Sequence, residues 1–391
     1  MTTLPIPRTT AAFALLAVLL GILFLAPPER SQASPYDRPG MWIWYVDSSH
    51  GGSTGKIIKQ ARSSGIGTLY IKSGDGTNVW SQFDRKLVER FQRAGLKVCG
   101  WQYVYGRNPG KEAKVSAYSK KQGADCFVID AETEYEGQYS AADRYIRALR
   151  KRVGNKFRLA LSTFPYVHFH PGFPYSVFLG PGAATANLPQ TYWKAIGDSV
   201  REGVDTTWYQ NSLYERPIFP VGQTYQNPRA KELVQFRRYI KSYGSAPSWW
   251  SWQETNRSEW KTLGRDLPGP FKRYKPVKSH PVMKKGSRGD QVVWLQQYLN
   301  GAGKKVPVTG IFAKKTRVAV MAFQSSRNLE ADGVVGTQTW NRLLRVKPVR
   351  VHWSAARSRS LGGRISVAGP SEPASAGIPA VRNEIAGAKG P

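Results

Sequence analysis

The chain has 391 residues, among them 57 Lys and Arg against 26 Asp and Glu, and its formal net charge is +31. Its 13 Trp, 19 Tyr and 15 Phe argue against a disordered chain, and the length suits two domains and a tail. The positive charge either serves solubility or indicates an anionic partner, and for an exported protein a cell wall or membrane surface fits better than nucleic acid. We expect no nucleic-acid partner, because the basic stretches lack a recognised nucleic-acid-binding fold.

The N-terminal segment, residues 1–33, is predicted to be a signal peptide. Arg8 precedes an unbroken apolar run at 11–26, whose length suits a signal better than a membrane span. Ser31 and Ala33 are small and suitably placed for cleavage after Ala33. Since no later stretch could cross a membrane, the sequence predicts an exported protein with no transmembrane span after cleavage. An uncleaved anchor is the alternative.

Residues 40–262 alternate short apolar strands with polar, helical stretches. The strands are expected at 41–47, 67–72, 96–104, 125–132, 157–163, 185–193, 218–224 and 247–253. Helices are expected at 81–94, 111–122, 140–153, within 173–183 and at 229–243. This pattern favours an α/β fold, a (β/α)8 TIM-type barrel with its working residues at the C-terminal strand ends. Cys99 and Cys126 fall in two of the strands and are expected to be buried thiols, with a single disulfide as the alternative.

An acidic stretch ends the fourth strand, in the sequence CFVIDAETEYEG. Its carboxylates occupy every second position, at Asp130, Glu132, Glu134 and Glu136. Alternate residues of a strand face the same side, so Glu132 faces the barrel mouth if Asp130 does. Glycoside hydrolysis needs a protonated carboxyl and a second carboxylate, and aromatic walls or a nearby carboxylate raise the pKa of a carboxyl. We therefore expect Glu132 to be the acid, with Asp130 and Asp47 as partners. The alternative is a structural pair that salt-bridges Lys72 or caps a helix.

The strand ends also combine glutamines with aromatic residues. An amide can make paired hydrogen bonds to sugar hydroxyls, while an aromatic ring covers the apolar face of a sugar. We expect a carbohydrate cleft here, with ordinary rim packing as the alternative. Its substrate-binding residues would be Lys72, Gln102, Tyr103, Tyr105, Gln190, Tyr192, Gln223, Tyr225, Trp252 and Gln253. His168 and His170 share a face but have no evident third ligand, so neither a metal site nor a cofactor is expected.

The C-terminal part divides into a Pro- and Lys-rich linker at 263–282, three short helices at 283–345, and a basic tail at 346–391 that is expected to be disordered. The segments GSRGDQVVWLQQYL, TGIFAKKTRVAVMAFQ and DGVVGTQTWNRLL resemble the three-helix peptidoglycan-binding domain of bacterial wall hydrolases. Thr309 departs from that family, which often has Asp there. The resemblance implies a shallow groove for a glycan strand or stem peptide. Eleven Lys or Arg against three Asp or Glu also suit an anionic wall.

The barrel segments YVDSSHGG, TLYIKSGDGTN, AGLKVCGWQYV and FVIDAETE resemble strands one to four of the family-25 glycoside hydrolases, the lysozyme-type muramidases. The resemblance implies an active site of Asp47, Asp130 and Glu132, in which Asp130 would orient the substrate's own N-acetyl group as nucleophile. The later strands match less well. The late-strand acidic residue of that family is not found, and Gln223 stands where many other barrel glycosidases have a nucleophilic Glu.

Together these features predict an exported cell-wall glycoside hydrolase that cleaves the glycan strand of peptidoglycan. One alternative is a wall-binding protein whose barrel has lost catalysis and holds glycan. Another is a hydrolase of a different polysaccharide, brought to the wall by its C-terminal module. The first hypothesis predicts that Asp130, Glu132 and Asp47 converge in an open cleft, whereas the second predicts carboxylates tied up in salt bridges or a blocked cleft.

Overall fold

Eight parallel strands form the framework of the computed structural model, which describes residue 1 and residues 34–365. The strands are β1 (Gly40–Ile43), β2 (Thr68–Asp75), the short antiparallel β3 (Asn78–Val79) that pairs with β2, β4 (Lys97–Val104), β5 (Cys126–Ala131), β6 (Arg158–Thr163), β7 (Ala186–Pro189), β8 (Val221–Gln223) and β9 (Ser248–Trp250). Their order is β7-β6-β5-β4-β2-β1-β9-β8, and parallel bridges from Asn187 to Ile218 and from Gln190 to Val221 join the two outer strands. The predicted (β/α)8 TIM-type barrel is therefore confirmed.

Helices follow most of the strands and cover the outside of the barrel. They are α1 (Thr54–Ser63), α2 (Arg85–Arg93), α3 (Pro109–Ser116), α4 (Tyr118–Lys121), α5 (Tyr139–Val153), α6 (Tyr175–Phe178), α7 (Trp193–Ile196), α8 (Val200–Asn211), α9 (Ala230–Ser242) and α10 (Arg257–Leu263). The helix expected within 173–183 is the single short turn α6. Local signals fix several boundaries: Asp84 caps α2 by accepting a hydrogen bond from the Leu87 N–H, and α5 ends at Gly154, whose φ is 74°.

The strands present two different faces, as the period of two requires. Along β4, Cys99 and Trp101 belong to the apolar core inside the barrel, whereas Val98 packs outward against the helices. Cys99 lies in register with Cys126 of β5, their Cα atoms are 4.6 Å apart, and the two form a disulfide inside the barrel. The expectation of two buried thiols was therefore wrong, because this register brings the cysteines within bonding distance.

A second module follows the barrel and consists of α11 (Asp290–Gly301), α12 (Lys314–Ser325) and α13 (Thr337–Leu343). It shares one apolar core with α5 and α6, and residues 34–365 belong to one compact unit. The contact between the second module and the barrel is polar at its centre. Asp290 is fully buried and accepts hydrogen bonds from the Tyr139 and Tyr214 hydroxyls and from the backbone N–H and hydroxyl of Ser176, at 2.6–2.9 Å. Beside it, the indole N–H of Trp294 donates to the Leu213 carbonyl at 2.7 Å.

Part of the tail at 346–391, which was expected to be disordered, is ordered. Residues Ala355–Ile365 form a further helix, α14. Trp353 packs on Tyr139 of the barrel, with ring centroids 4.6 Å apart. The hydroxyl of Ser358 donates to the Gly137 carbonyl at 2.8 Å, and Leu361 is buried in the same small cluster as Val293 of α11. This segment therefore contacts the barrel and the module together.

Some predictions concern residues beyond those described. The predicted signal peptide, apart from Met1, and residues 366–391 lie outside the described part of the chain. Within the described part, the structure has no helix long and apolar enough to span a membrane. The domain boundaries at 262 and 282 remain predictions. The sequence analysis did not predict the contact between the barrel and the second module.

Candidate active site

The acidic stretch ends β5 at the mouth of the barrel. Val128 belongs to the core inside the barrel, whereas Ile129 and Ala131 pack outward against the helices. Asp130 therefore points to the inner side, like Val128. Asp130 and Glu132 are 6% and 7% exposed, so two carboxylates are almost buried where a TIM barrel carries its chemistry.

A glutamine at the end of β7 brings the two carboxylates together. The side-chain nitrogen of Gln190 donates to Asp130 Oδ1 and to Glu132 Oε1, each at 3.1 Å, and it lies 3.4 Å from the Ser162 hydroxyl. The two carboxylate oxygens therefore cannot be farther apart than twice 3.1 Å. Gln190, predicted from the sequence as a substrate contact, binds the carboxylate pair directly.

Two tyrosines complete this side of the mouth. Tyr192 and Tyr225 meet edge to face with ring centroids 5.3 Å apart. Burial raises the pKa of Tyr192 well above its usual value, and electrostatic interactions with Tyr225, Asp130 and Glu132 raise it further. Burial also raises the pKa of Tyr225, with smaller contributions from Glu254 and Glu132. Both phenols therefore stay protonated at neutral pH and can donate hydrogen bonds in the neighbourhood of the carboxylates.

A second polar cluster lies at the ends of β2 and β4. Lys72, 1% exposed, forms a 2.7 Å salt bridge with Asp75, and Asp75 accepts a 2.9 Å hydrogen bond from the Tyr105 hydroxyl. Lys72 Nζ also lies 4.2 Å from the ring centroid of Trp44. The Tyr103 hydroxyl donates to Glu134 at 2.6 Å. The structure thus brings Lys72, Tyr103 and Tyr105, all expected from the sequence, to the same side of the mouth.

Gln102 does not face the cleft. Its neighbours on β4, Trp101 and Tyr103, point to the inner side, so Gln102 points outward. It is fully buried there, donates to the Gly76 carbonyl at 2.6 Å and accepts from the Ser116 hydroxyl at 2.9 Å. The expectation that Gln102 binds substrate is corrected: its amide ties β4 to α3.

Gln223 and Trp252 are also occupied elsewhere. Gln223 is fully buried, and its side-chain oxygen accepts hydrogen bonds from the backbone N–H groups of Lys194 and Ala195, so it holds the start of α7. Trp252 lies in the core outside the barrel and packs on Trp260 of α10, with ring centroids 4.7 Å apart. Neither side chain offers a free polar edge or an open face to a sugar, because tertiary packing already uses both.

Asp47 is exposed at the rim of the barrel. It borders an open groove of about 440 Å³ between the loop after β1 and the start of α2, together with Ser81 and Leu87. The lining of this groove includes neither Asp130 nor Glu132, and the grouping of Asp47 with that pair stays a prediction.

Two glutamines hold the backbone that follows β1. Gln253, expected to bind substrate, accepts from the Trp44 N–H and donates to the Tyr45 carbonyl at 2.7 Å. Gln82 donates to the Trp44 carbonyl at 2.7 Å and accepts from the Val46 N–H at 2.9 Å. Sequence reasoning missed Gln82, which follows β3 in a turn without any recognisable motif.

The histidines of the loop after β6 do not assemble a metal site. His170 Nδ1 lies 3.0 Å from Glu136, and burial lowers the pKa of His168. Across residues 34–365 no group of three or more His, Cys, Asp or Glu side chains is arranged to hold a metal ion.

The comparisons with known proteins concern the two modules separately. Residues 288–343 match the model of the putative peptidoglycan binding domain. A curated but uncharacterised protein of Kitasatospora aureofaciens is 39% identical over 67 residues, which are 17% of this chain and 57% of that protein. The chain therefore spans little more than half the length of this relative.

Solved structures give a similar division. A peptidoglycan-binding protein from Clostridioides difficile is 38% identical over 17% of this chain and 41% of its own, with a TM-score of 0.17. The catalytic domain of a chitinase from Pyrococcus furiosus aligns with 59% of this chain and 94% of its own, at 10% identity and a TM-score of 0.42. The C-terminal module thus resembles peptidoglycan-binding domains in sequence, as predicted.

Proposed function

We propose that the protein is an exported cell-wall glycoside hydrolase that cleaves the glycan strand of peptidoglycan and is held on the wall by its C-terminal module. The observation that carries the proposal is the pair Asp130 and Glu132, nearly buried at the barrel mouth and joined through the Gln190 side-chain nitrogen. Most glycosidases require two carboxyl groups for catalysis, and TIM-barrel enzymes carry their catalytic residues at the C-terminal ends of the strands.

In this mechanism Glu132 is the acid. The proposal requires one carboxyl of the pair to hold a proton, a state that a neighbouring carboxylate favours. Glu132 transfers that proton to the glycosidic oxygen while the bond from that oxygen to the anomeric carbon breaks. Asp130 remains ionised and stabilises the positive charge that develops on the sugar, or orients a substrate N-acetyl group whose carbonyl oxygen attacks the anomeric carbon. Water then adds at that carbon and returns a proton to Glu132.

Gln190 and the tyrosines have supporting roles in the proposed reaction. The side-chain nitrogen of Gln190 donates to both carboxylates. Because both hydrogen bonds start from this one atom, they limit the distance between the two carboxylate oxygens. Tyr192 and Tyr225 remain protonated and supply hydroxyl donors to an oxygen of the substrate.

Location at the wall is supported by three observations. Residues 288–343 match a peptidoglycan-binding domain. The net charge of +31 suits an anionic polymer. The disulfide between Cys99 and Cys126 belongs to oxidising compartments outside the cytosol.

A second candidate function is a wall-binding protein that holds glycan without cleaving it. It is favoured by Asp47, the third carboxylate that the sequence resemblance implied, because Asp47 is exposed and borders a groove whose lining includes neither Asp130 nor Glu132.

The test uses the chain from Ser34 onward, whose residues 34–365 belong to one compact unit, and purified peptidoglycan. New reducing ends are measured for the native protein, for Glu132→Gln, and for Glu330→Gln, which changes an exposed carboxylate on the second module. We expect Glu132→Gln to lower the rate at least about 100-fold, with wall binding in a pelleting assay unchanged and the control fully active. Tight wall binding without release of reducing ends by the native protein would favour the second candidate.

A further inference from the structure

Four partly exposed aromatic rings line the mouth on the side of β9, β1 and β2, and they are called the aromatic lip here. They are Trp250, Trp44, Tyr45 and Trp80. Consecutive ring centroids are 5.6 Å, 6.1 Å and 5.2 Å apart. The rings of Trp44 and Tyr45 are inclined by 18°, and those of Tyr45 and Trp80 by 33°, so these three rings face similar directions, whereas Trp250 meets Trp44 edge to face at 62°. Such a row of rings offers a largely aromatic surface.

The lip is connected to the carboxylate pair round the edge of the barrel. Strands β7, β8, β9, β1 and β2 are neighbours in that order. Their ends carry, in the same order, Gln190 and Tyr192 beside the pair, then Tyr225, then the rings of the lip. At its far end the lip borders the open groove of about 440 Å³, whose lining includes Val46 and Ser81, the chain neighbours of Tyr45 and Trp80.

The lip is held rigidly before any ligand arrives. Trp101, almost fully buried, packs beneath it, with its ring centroid 5.8 Å from Trp44 and 5.4 Å from Trp250. Hydrogen bonds from the Gln82 and Gln253 side chains hold the backbone from Trp44 to Val46 in place. Binding to such a surface costs little conformational entropy, because the rings are already in place.

The geometry points to an extended glycan chain as the ligand of the lip: we propose that several consecutive sugars of the strand lie along it while one glycosidic bond is held at the carboxylate pair. Aromatic faces stack on the apolar faces of pyranose rings, and the spacing of the rings is comparable to the repeat of a β-linked sugar chain. This inference rests on the proposed function and adds to it that the substrate is a long chain, gripped well beyond the cleaved bond.

The test measures binding to soluble β-1,4-linked N-acetylglucosamine oligomers in the Glu132→Gln background, by isothermal titration. We expect the hexamer to bind more tightly than the dimer. Tyr45→Leu, which keeps bulk but removes the ring, and Trp80→Ala should each weaken hexamer binding about 3- to 10-fold and leave dimer binding unchanged. Tyr118→Ala, at a partly exposed tyrosine on the outer helix α4, is the matched control and should bind like the parent.

The outcomes separate this inference from the proposed function. Hexamer binding that is equal in the parent and in both lip variants would overturn the lip as a glycan site, even if the native protein releases reducing ends from peptidoglycan. Loss of hexamer affinity in the lip variants, together with a native protein that releases no reducing ends, would retain the lip and reject the hydrolase.

Discussion

Replacing Asp290 by Asn removes one of the two carboxylate oxygens that fasten the second module to the barrel. Oδ1 accepts from the Tyr139 hydroxyl and the Ser176 hydroxyl, and Oδ2 accepts from the Ser176 N–H and the Tyr214 hydroxyl. An amide of the same shape keeps one acceptor and turns an NH2 group toward the other two donors. The amide oxygen can take the Oδ2 position and keep the bonds from the Ser176 N–H and the Tyr214 hydroxyl, but the hydroxyl protons of Tyr139 and Ser176 then lose their acceptor at the Oδ1 position. That loss costs about 1–3 kcal/mol.

The second part of the effect depends on pH. Burial raises the pKa of Asp290 from 3.8 to about 6, although the hydrogen bonds from Ser176, Tyr214 and Tyr139 act in the opposite direction. The folded protein therefore binds more protons than the unfolded chain between these two values. The stabilisation by this group is fully present below about pH 4 and is lost as the pH rises through 6. The shift corresponds to about 3 kcal/mol of unfolding free energy.

The measurement is urea unfolding of the native protein and Asp290→Asn at about pH 4.5 and about pH 7.5. We expect the variant to be less stable at the lower pH and to approach the native protein at the higher pH, with a change of about 2 kcal/mol in the difference between them. Glu330→Gln in the same module, where the carboxylate is exposed, should follow the native protein at both values. A difference between native protein and Asp290→Asn that stays constant with pH would refute the reasoning.

Three further predictions concern the barrel. Replacing both Cys99 and Cys126 by Ala opens a cross-link with a sequence separation of 27 and should lower the unfolding free energy by about 3 kcal/mol in denaturant titrations. Gln102→Leu leaves buried partners unpaired and should destabilise the fold by about 1–3 kcal/mol; loss of glycan binding without loss of stability would contradict its structural role. Gln190→Leu frees the carboxylate pair and should lower reducing-end release at least about 10-fold, while wall binding in the pelleting assay and the circular dichroism spectrum stay native; full activity would show that Glu132 needs no such support.

The sequence was sufficient to predict the barrel because each strand is a short apolar run at regular spacing. The period of two along β5 predicted only that Glu132 faces the mouth if Asp130 does, and the structure has Asp130 on the inner side, two residues beyond the buried Val128. Along β4 the sequence interpretation assigned both Gln102 and its neighbour Tyr103 to the mouth, although adjacent residues of a strand face opposite sides. Trp101 and Tyr103 point to the inner side, so Gln102 points outward.

Contacts between distant segments could not be predicted. The apolar residues of α11 suit a three-helix core, and nothing in their spacing indicates that Trp294 donates to the Leu213 carbonyl or that Asp290 is buried against the barrel. The disulfide depends in the same way on the register of β4 against β5, which places Cys99 opposite Cys126. Such features depend on tertiary packing, and local propensity and periodicity do not predict which distant segments come into contact.

The fixed seat of α11 on the barrel has a geometric consequence for the proposed action on a two-dimensional polymer mesh. A domain on a flexible linker can reach any point within the length of that linker. Here the second module and the barrel mouth are held at one separation and in one orientation, with α14 packed against both parts. Under the proposed function, a molecule bound through its module would therefore reach one place on the mesh, and the density of bound molecules would determine how closely those places lie.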